Sequence, residues 1–84
     1  MGNRDKLELK NVCIYGVTRL PNSVNGNPRY RLSFVDNLGA TYRNYITSSD
    51  AACNYEVQNF ASSKCLLDVY VTRAGRVSRL VPVK

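Results

Sequence analysis

Hydrophobic and polar positions along the chain divide it into a few short elements. Residues 6–20, KLELKNVCIYGVTRL, begin with Leu7 and Leu9 alternating against Lys6, Glu8 and Lys10. The phase then changes, as Val12 and Ile14 join Cys13 and Tyr15. A phase change inside one long strand requires a bulge or a strong bend, and Gly16 marks a place where the backbone kinks or approaches a neighbour closely. Residues 29–35 alternate cleanly, with Tyr30, Leu32 and Phe34 on one face and Arg29, Arg31 and Ser33 on the other. That alternation predicts a half-buried antiparallel strand. Asp36-Asn37-Leu38-Gly39 supplies turn residues, and residues 40–46 resume the strand pattern, completing a hairpin.

The period changes in TSSDAACNYEVQNFASS. Cys53, Val57, Phe60 and Ala61 fall on one side of a helix expected over about residues 49–61. Thr47 followed by Asp50 resembles a capping box with a shorter acid. KCLLDVYVT then reads as a strand with Cys65, Leu67, Val69 and Val71 inward and Asp68, Tyr70 and Thr72 outward. Arg73-Ala74-Gly75 forms a hairpin loop in which Gly75 takes the left-handed conformation of a bulge. Pro82 places the last strand, RVSRLVPV, at a sheet edge or at a frayed end.

Five strands with one short helix between the third and fourth give a mainly β fold. The order matches a five-stranded, OB-like partly open barrel whose first strand bends to serve both halves of the sheet. A bent sheet packing one helix, in the general α+β class, is the alternative. All 84 residues belong to a single domain, with residues 1–5 expected as a flexible tail.

Charge narrows the set of partners. The net charge is +6, which favours polyanions such as nucleic acid or acidic proteins. The apolar runs are far shorter than a membrane span, and no hydrophobic signal segment precedes the folded pattern, so a cytoplasmic location is expected. Gly2 lacks the downstream Ser or Thr of a myristoylation motif, since Lys6 stands there. Cys13, Cys53 and Cys65 are odd in number and widely spaced, and they read as small buried hydrophobes in a reducing compartment. A metal site would need carboxylate help at unfamiliar spacing because the chain has no histidine, so no metal or other cofactor is expected.

If Tyr30, Leu32 and Phe34 face inward, Arg29, Arg31 and Ser33 face outward. On the paired strand Thr41, Arg43 and Tyr45 are then expected to face outward as well, with Ala40, Tyr42 and Ile46 inward. In OB-folds this face and the loops after strands one and four form the usual oligonucleotide surface. Here those loops are PNSVNGNP and Thr72-Arg73-Ala74-Gly75-Arg76. The candidate nucleic-acid-binding set is therefore Arg29, Arg31, Arg43, Tyr45, Arg73 and Arg76. Guanidinium groups grip phosphates and stack on bases, and a tyrosine ring offers a platform. The plainer reading of the same residues is a solvated sheet face, with arginine stems shielding the strands and an ordinary Asn/Gly/Pro turn.

The runs GVTRLPNSVNGNPRYRLSFVDNLGATYR, SDAACNYEVQNF and TRAGRV resemble a group of short uncharacterised proteins encoded by phages of actinobacteria. The resemblance covers residues 16–77. It implies a cytosolic, early-expressed phage accessory protein and assigns no site residue. Without histidine, and with Glu8, Asp36, Asp50, Glu56 and Asp68 scattered, catalysis is not expected. No nucleotide-loop, zinc-protease or nucleophile-elbow motif occurs. Three roles are consistent with this chemistry. They are non-specific binding of single-stranded DNA or RNA, docking on an acidic host protein, and self-association through the C-terminal strand.

Overall fold

A computed structural model describes residues 5–22, 24, 26–48, 51–61 and 65–83, with the side chains of residues 51–53 outside the described set. The elements are β1 (Lys6–Leu20), β2 (Arg29–Asp36), β3 (Tyr45–Ile46), α1 (Ala51–Phe60), β4 (Leu67–Val71) and β5 (Val77–Pro82). They form one antiparallel sheet in the order β3-β2-β1-β4-β5. The sheet does not close. Its two edges touch at one parallel bridge between Thr47 and Val77, where Ser48 N–H donates to the Val77 carbonyl at 2.8 Å. This is the OB-like, partly open arrangement that the strand order predicts.

β1 is the spine of the sheet. Its second half pairs with β2 and its first half with β4, and Val12 sits in both ladders, opposite Asp36 and Leu67. The bend arises from irregularities at three places. Tyr15 is an extra residue between the pairs Ile14–Phe34 and Gly16–Ser33, and the ladder with β4 shifts between Leu7 and Leu9 and again between Leu9 and Val12. Asn11, within the last of these shifts, has φ of 56°. The amide of Asn11 donates to Asp68 Oδ1 at 3.2 Å, which ties the kink to β4. Bulges of this kind bend and twist a strand, so one strand serves two sheet halves.

The interior is filled by Leu9, Val12, Ile14, Leu32, Phe34, Tyr45, Leu67, Val69, Val71, Val77 and Leu80 from the sheet and Val57 from α1. Each such Val, Leu or Phe contributes roughly 1.5–3 kcal/mol through burial. Helix α1 lays Val57 on the core with Phe60 partly buried beside it. The expected Ala51–Phe60 part of the helix is present, and the expected Cys53 contact lies outside the described residues. So do residues 1–4 of the expected tail and the Asp50 of the expected capping box. Thr47 also has a role in the sheet. It is fully buried, its Oγ1 accepts the Tyr30 N–H at 3.0 Å and its own N–H donates to the Tyr30 carbonyl at 3.0 Å. Its hydroxyl thereby extends the pairing with β2, and the amide of residue 50 that it was expected to cap lies outside the described residues.

The third strand differs most from expectation. Regular pairing is confined to Tyr45–Ile46, with an isolated bridge between Val35 and Thr41. Tyr42 N–H donates to the Phe34 carbonyl at 3.2 Å, yet Tyr45 pairs with Leu32, so one extra residue is accommodated at Arg43-Asn44. A one-residue slip sends every later side chain to the opposite face. Tyr45 therefore turns inward with Leu32, and Ile46 turns outward with Arg31. Ala40, expected inward, is exposed in the turn.

Cys13 and Cys65 are half-buried, and Cys65 packs against the core as expected. Cys13 stands opposite Val35, on the face away from its buried neighbours Val12 and Ile14. The β4–β5 hairpin follows expectation. Gly75 has φ of +81°, and the Thr72 amide donates to the Arg76 carbonyl at 2.8 Å. That backbone conformation is costly for any residue with a Cβ.

β5 is an edge strand, as Pro82 predicts, but its open side is largely occupied. Glu56 Oε1 accepts the Leu80 N–H at 2.8 Å, Ser48 takes the Val77 carbonyl, and Pro82 has no N–H to offer. Pairing of RLVPV with a second copy would have to displace the helix side chain. Among the described residues no helix is long and apolar enough to cross a membrane.

Candidate nucleic-acid interface

The outer face of β2 carries Arg29, Arg31 and Ser33, as the alternation predicts, because Leu32 and Phe34 are fully buried. Arg31 is exposed between Thr18 of β1 and Ile46 of β3. Ser33 Oγ donates to Asn44 Oδ1 at 2.9 Å, which brings the extra residue of the third strand onto this face. Gly16 faces Ser33 closely: a Cβ there would stand 3.3 Å from both Ser33 Cβ and Oγ. The missing side chain keeps the face low beside Tyr15, which is 57% exposed.

Arg29 opens β2 opposite Leu20. Its Nε is buried without a hydrogen-bond partner. A buried donor left unmet costs about 1–3 kcal/mol. Its neighbour Tyr30 is covered by Arg19, whose Cζ lies 5.7 Å from the ring centroid. Arg19 also donates to Asn22 Oδ1 at 2.7 Å, so it anchors the start of the β1–β2 connection and is not a loose cation.

Arg43 and Tyr45 do not join Arg31. Tyr45 is 4% exposed, packs edge-on against Phe34 at 5.9 Å and donates its hydroxyl to Glu8 Oε2 at 3.0 Å. Burial first, and then the bond to Glu8, pushes its phenol above the ordinary tyrosine value. Arg43 covers the ring from outside, with Cζ 4.1 Å from the centroid and Nη2 3.9 Å from Glu8 Oε2. Since the Arg43 side chain is 64% exposed, this ion pair contributes at most about 1 kcal/mol. Nη2 also approaches to 4.0 Å from where a Cβ of Gly75 would lie. Arg43 thus reaches the hairpin that carries the exposed Arg73 and Arg76.

The six predicted residues therefore divide into three. Arg29 and Arg31 lie on the outer sheet face, Arg43 gathers with the Arg73/Arg76 hairpin, and Tyr45 is a core residue. No family model, curated protein or solved structure matches this chain. Its site has to be read from its own chemistry.

That chemistry is asymmetric in charge. Of the acidic residues, Glu8 accepts from Tyr45, Asp36 from the amides of Leu38 and Ala40 and from the Tyr42 hydroxyl, Glu56 from Leu80 and Asp68 from Asn11. These bonds hold structure together. Among the described residues, Arg29, Arg31, Arg73 and Arg76 have no carboxylate within ion-pair distance. Among the described residues these four arginines remain available to an external anion, while Glu8, Asp36, Glu56 and Asp68 are engaged internally.

Sequence reasoning passed over Tyr15. The phase change in β1 pointed to a bulge, but placing the extra residue at 15 requires knowing which β2 residues it stands between. A third stacked pair also went unread, with Arg79 Cζ 5.7 Å from the Tyr70 ring centroid across β4 and β5. No group of three or more His, Cys, Asp or Glu side chains among the described residues is placed to hold a metal ion.

Proposed function

We propose that this chain is a small binding protein, not a catalyst, and that it holds single-stranded nucleic acid on the outer face of β2. Arg29 and Arg31 contact successive phosphates, Tyr15 offers a ring for a base, and the Arg43/Arg73/Arg76 group extends the cationic track at the β4–β5 hairpin. The observation that carries this reading is the set of arginines that have no carboxylate partner among the described residues, in a chain of net charge +6. Guanidinium groups bind phosphate oxygens in pairs, and the Arg31 side chain is exposed for such contact. A single strand suits the site because its bases are free to stack on an exposed tyrosine. A phage-type accessory role in the host cytoplasm, drawn from the resemblance over residues 16–77, is compatible with this activity.

The test is a titration of nuclease-treated protein against labelled single-stranded DNA, single-stranded RNA and duplex at two salt concentrations. Single strands are expected to bind best, with log affinity falling by about 0.7 per log unit of salt for each phosphate contact. An unchanged affinity across the two salts, or undiminished binding by the double variant Arg29→Glu, Arg31→Glu, would overturn the proposal. Capture of a protein that survives nuclease treatment, with no affinity for any oligonucleotide, would assign the same face to an acidic protein instead.

A further inference from the structure

The fold covers the outward groups of β5 with Glu56 and Ser48, and Pro82 there offers no N–H. The second half of β1 is an edge of another kind. It pairs with β2 on one side, while its ladder with β4 ends at Val12 on the other.

Register determines which backbone groups this edge presents. In an antiparallel ladder, residues directly opposite each other either bond to one another or both turn away. Tyr30 turns away from β1, since its carbonyl accepts the Thr47 N–H and its own N–H donates to Thr47 Oγ1. Phe34, whose carbonyl accepts the Tyr42 N–H, turns the same way, and Leu32 between them shares their phase. Arg19 stands opposite Tyr30 and Val17 opposite Leu32, so the N–H and C=O of both point away from β2. Among the described residues neither meets a backbone partner there. Val17 is 39% exposed, and Thr18 and Arg19 are exposed beside it. The bulge at Tyr15 and the imide of Pro21 bound this short run.

Charge selects the occupant. From Leu9 to Val35 the chain contains no Asp or Glu, whereas it carries Lys10, Arg19, Arg29 and Arg31. Arg19 is on the edge itself, and Arg31 is one strand further in, opposite Thr18. A second copy pairing here would bring the same cations together, and a charged residue on an edge strand guards against such self-pairing. An acidic strand meets opposite charge instead.

We infer that the Val17–Arg19 edge of β1 takes an extended acidic segment of a partner protein as an added strand. Main-chain bonds to Val17 and Arg19 give affinity, while an apolar side chain beside Val17 and a carboxylate beside Arg19 give specificity. The inference does not rest on the nucleic-acid reading, which concerns the outer face of β2.

The probe is a labelled synthetic peptide of about eight residues repeating Val-Thr-Glu-Thr, which puts valine and glutamate alternately on one face of a strand. One control has lysine in place of glutamate, and another of unchanged charge has proline in place of threonine, so that it cannot pair. Anisotropy is read on the full chain, on Val17→Pro and on Arg19→Glu, with circular dichroism confirming folding. Val17→Pro deletes an N–H that points away from β2 and so leaves that ladder intact. If it fails to fold, Arg19→Glu and the exchange measurement decide. The acidic peptide is expected to bind, and each control and each variant to bind at least about tenfold more weakly. Amide hydrogen exchange of Val17 and Arg19, followed by NMR, is expected to slow with peptide bound, and that of Thr18, which faces β2, to stay as it was. Absence of binding would overturn the inference, as would unchanged exchange at Val17 and Arg19. Equal binding by the proline control would overturn it in favour of charge attraction alone. Exchange that slows at both amides in the free chain as its concentration rises, with a dimer mass by light scattering, would give the edge to a second copy instead.

Discussion

Glu56 of α1 accepts the Leu80 N–H of β5 at 2.8 Å, so a helix side chain supplies the partner that a sixth strand would otherwise provide. Hydrogen bonds to a charged group contribute about 1.5–3 kcal/mol. Glu56→Ala is expected to lower unfolding stability by about that amount and to expose an edge donor that a second copy can use. Chemical denaturation measures the first effect, and light scattering across a concentration series the second. A variant that stays monomeric with unchanged stability would show that the bond contributes nothing to the edge.

Tyr45 separates packing from hydrogen bonding. Tyr45→Phe keeps the edge-on contact with Phe34 and loses only the bond to Glu8, an expected cost of about 1–2 kcal/mol, whereas Tyr45→Ala removes the ring at about 3–5 kcal/mol. The phenol is raised above its unfolded value, so its contribution is fully present below about pH 10 and is lost as pH rises through the folded value. Stability curves measured into the alkaline range should lose this component in Tyr45→Phe.

Asp36 behaves in the opposite direction. Amides of Ala40 and then Leu38 hold its carboxyl below the ordinary aspartate value, helped by the Tyr42 hydroxyl. Its contribution is therefore present above the unfolded value of about 3.9 and is lost as pH falls through the lower folded value. Carboxyl-detected NMR titration is expected to place its midpoint below that of a free aspartate, and Tyr42→Phe to raise it.

For the proposed interface, each of Arg29→Ala and Arg31→Ala is expected to reduce the salt slope by about 0.7. Tyr15→Ala should weaken binding by about 1–3 kcal/mol while leaving the slope alone, since stacking releases no counterions. Tyr45→Phe should leave both unchanged. Anisotropy titrations at several salt concentrations check all three.

Most of the architecture was legible because long alternating runs carry it. Leu32 and Phe34 went inward and Arg31 outward as periodicity requires, and Gly16, Gly75 and Pro82 each marked a bulge, a turn and an edge for the stated backbone reasons. What stayed hidden was parity after an irregularity. The seven residues ATYRNYI look like an unbroken strand, and the accommodation of an extra residue at Arg43-Asn44 depends on tertiary pairs at both ends. That single slip moved Tyr45 from the expected surface to the core. Tyr15 was hidden for the same reason, since a bulge can be inferred from phase but not assigned to one residue. Thr47 shows a third limit: its bond to the amide of Tyr30 joins residues 17 apart in sequence, which no local pattern signals.

Val12, shared between two ladders, also sets an order of assembly. Contacts from its C-terminal side join β1 to β2 across a short connection, whereas those from its N-terminal side must wait for β4, most of the chain away. Closing the longer loop loses more chain entropy, so the hairpin is expected to nucleate and the strand's first half to dock late. Leu9→Ala should then accelerate unfolding with little change in the refolding rate, while Leu32→Ala slows refolding.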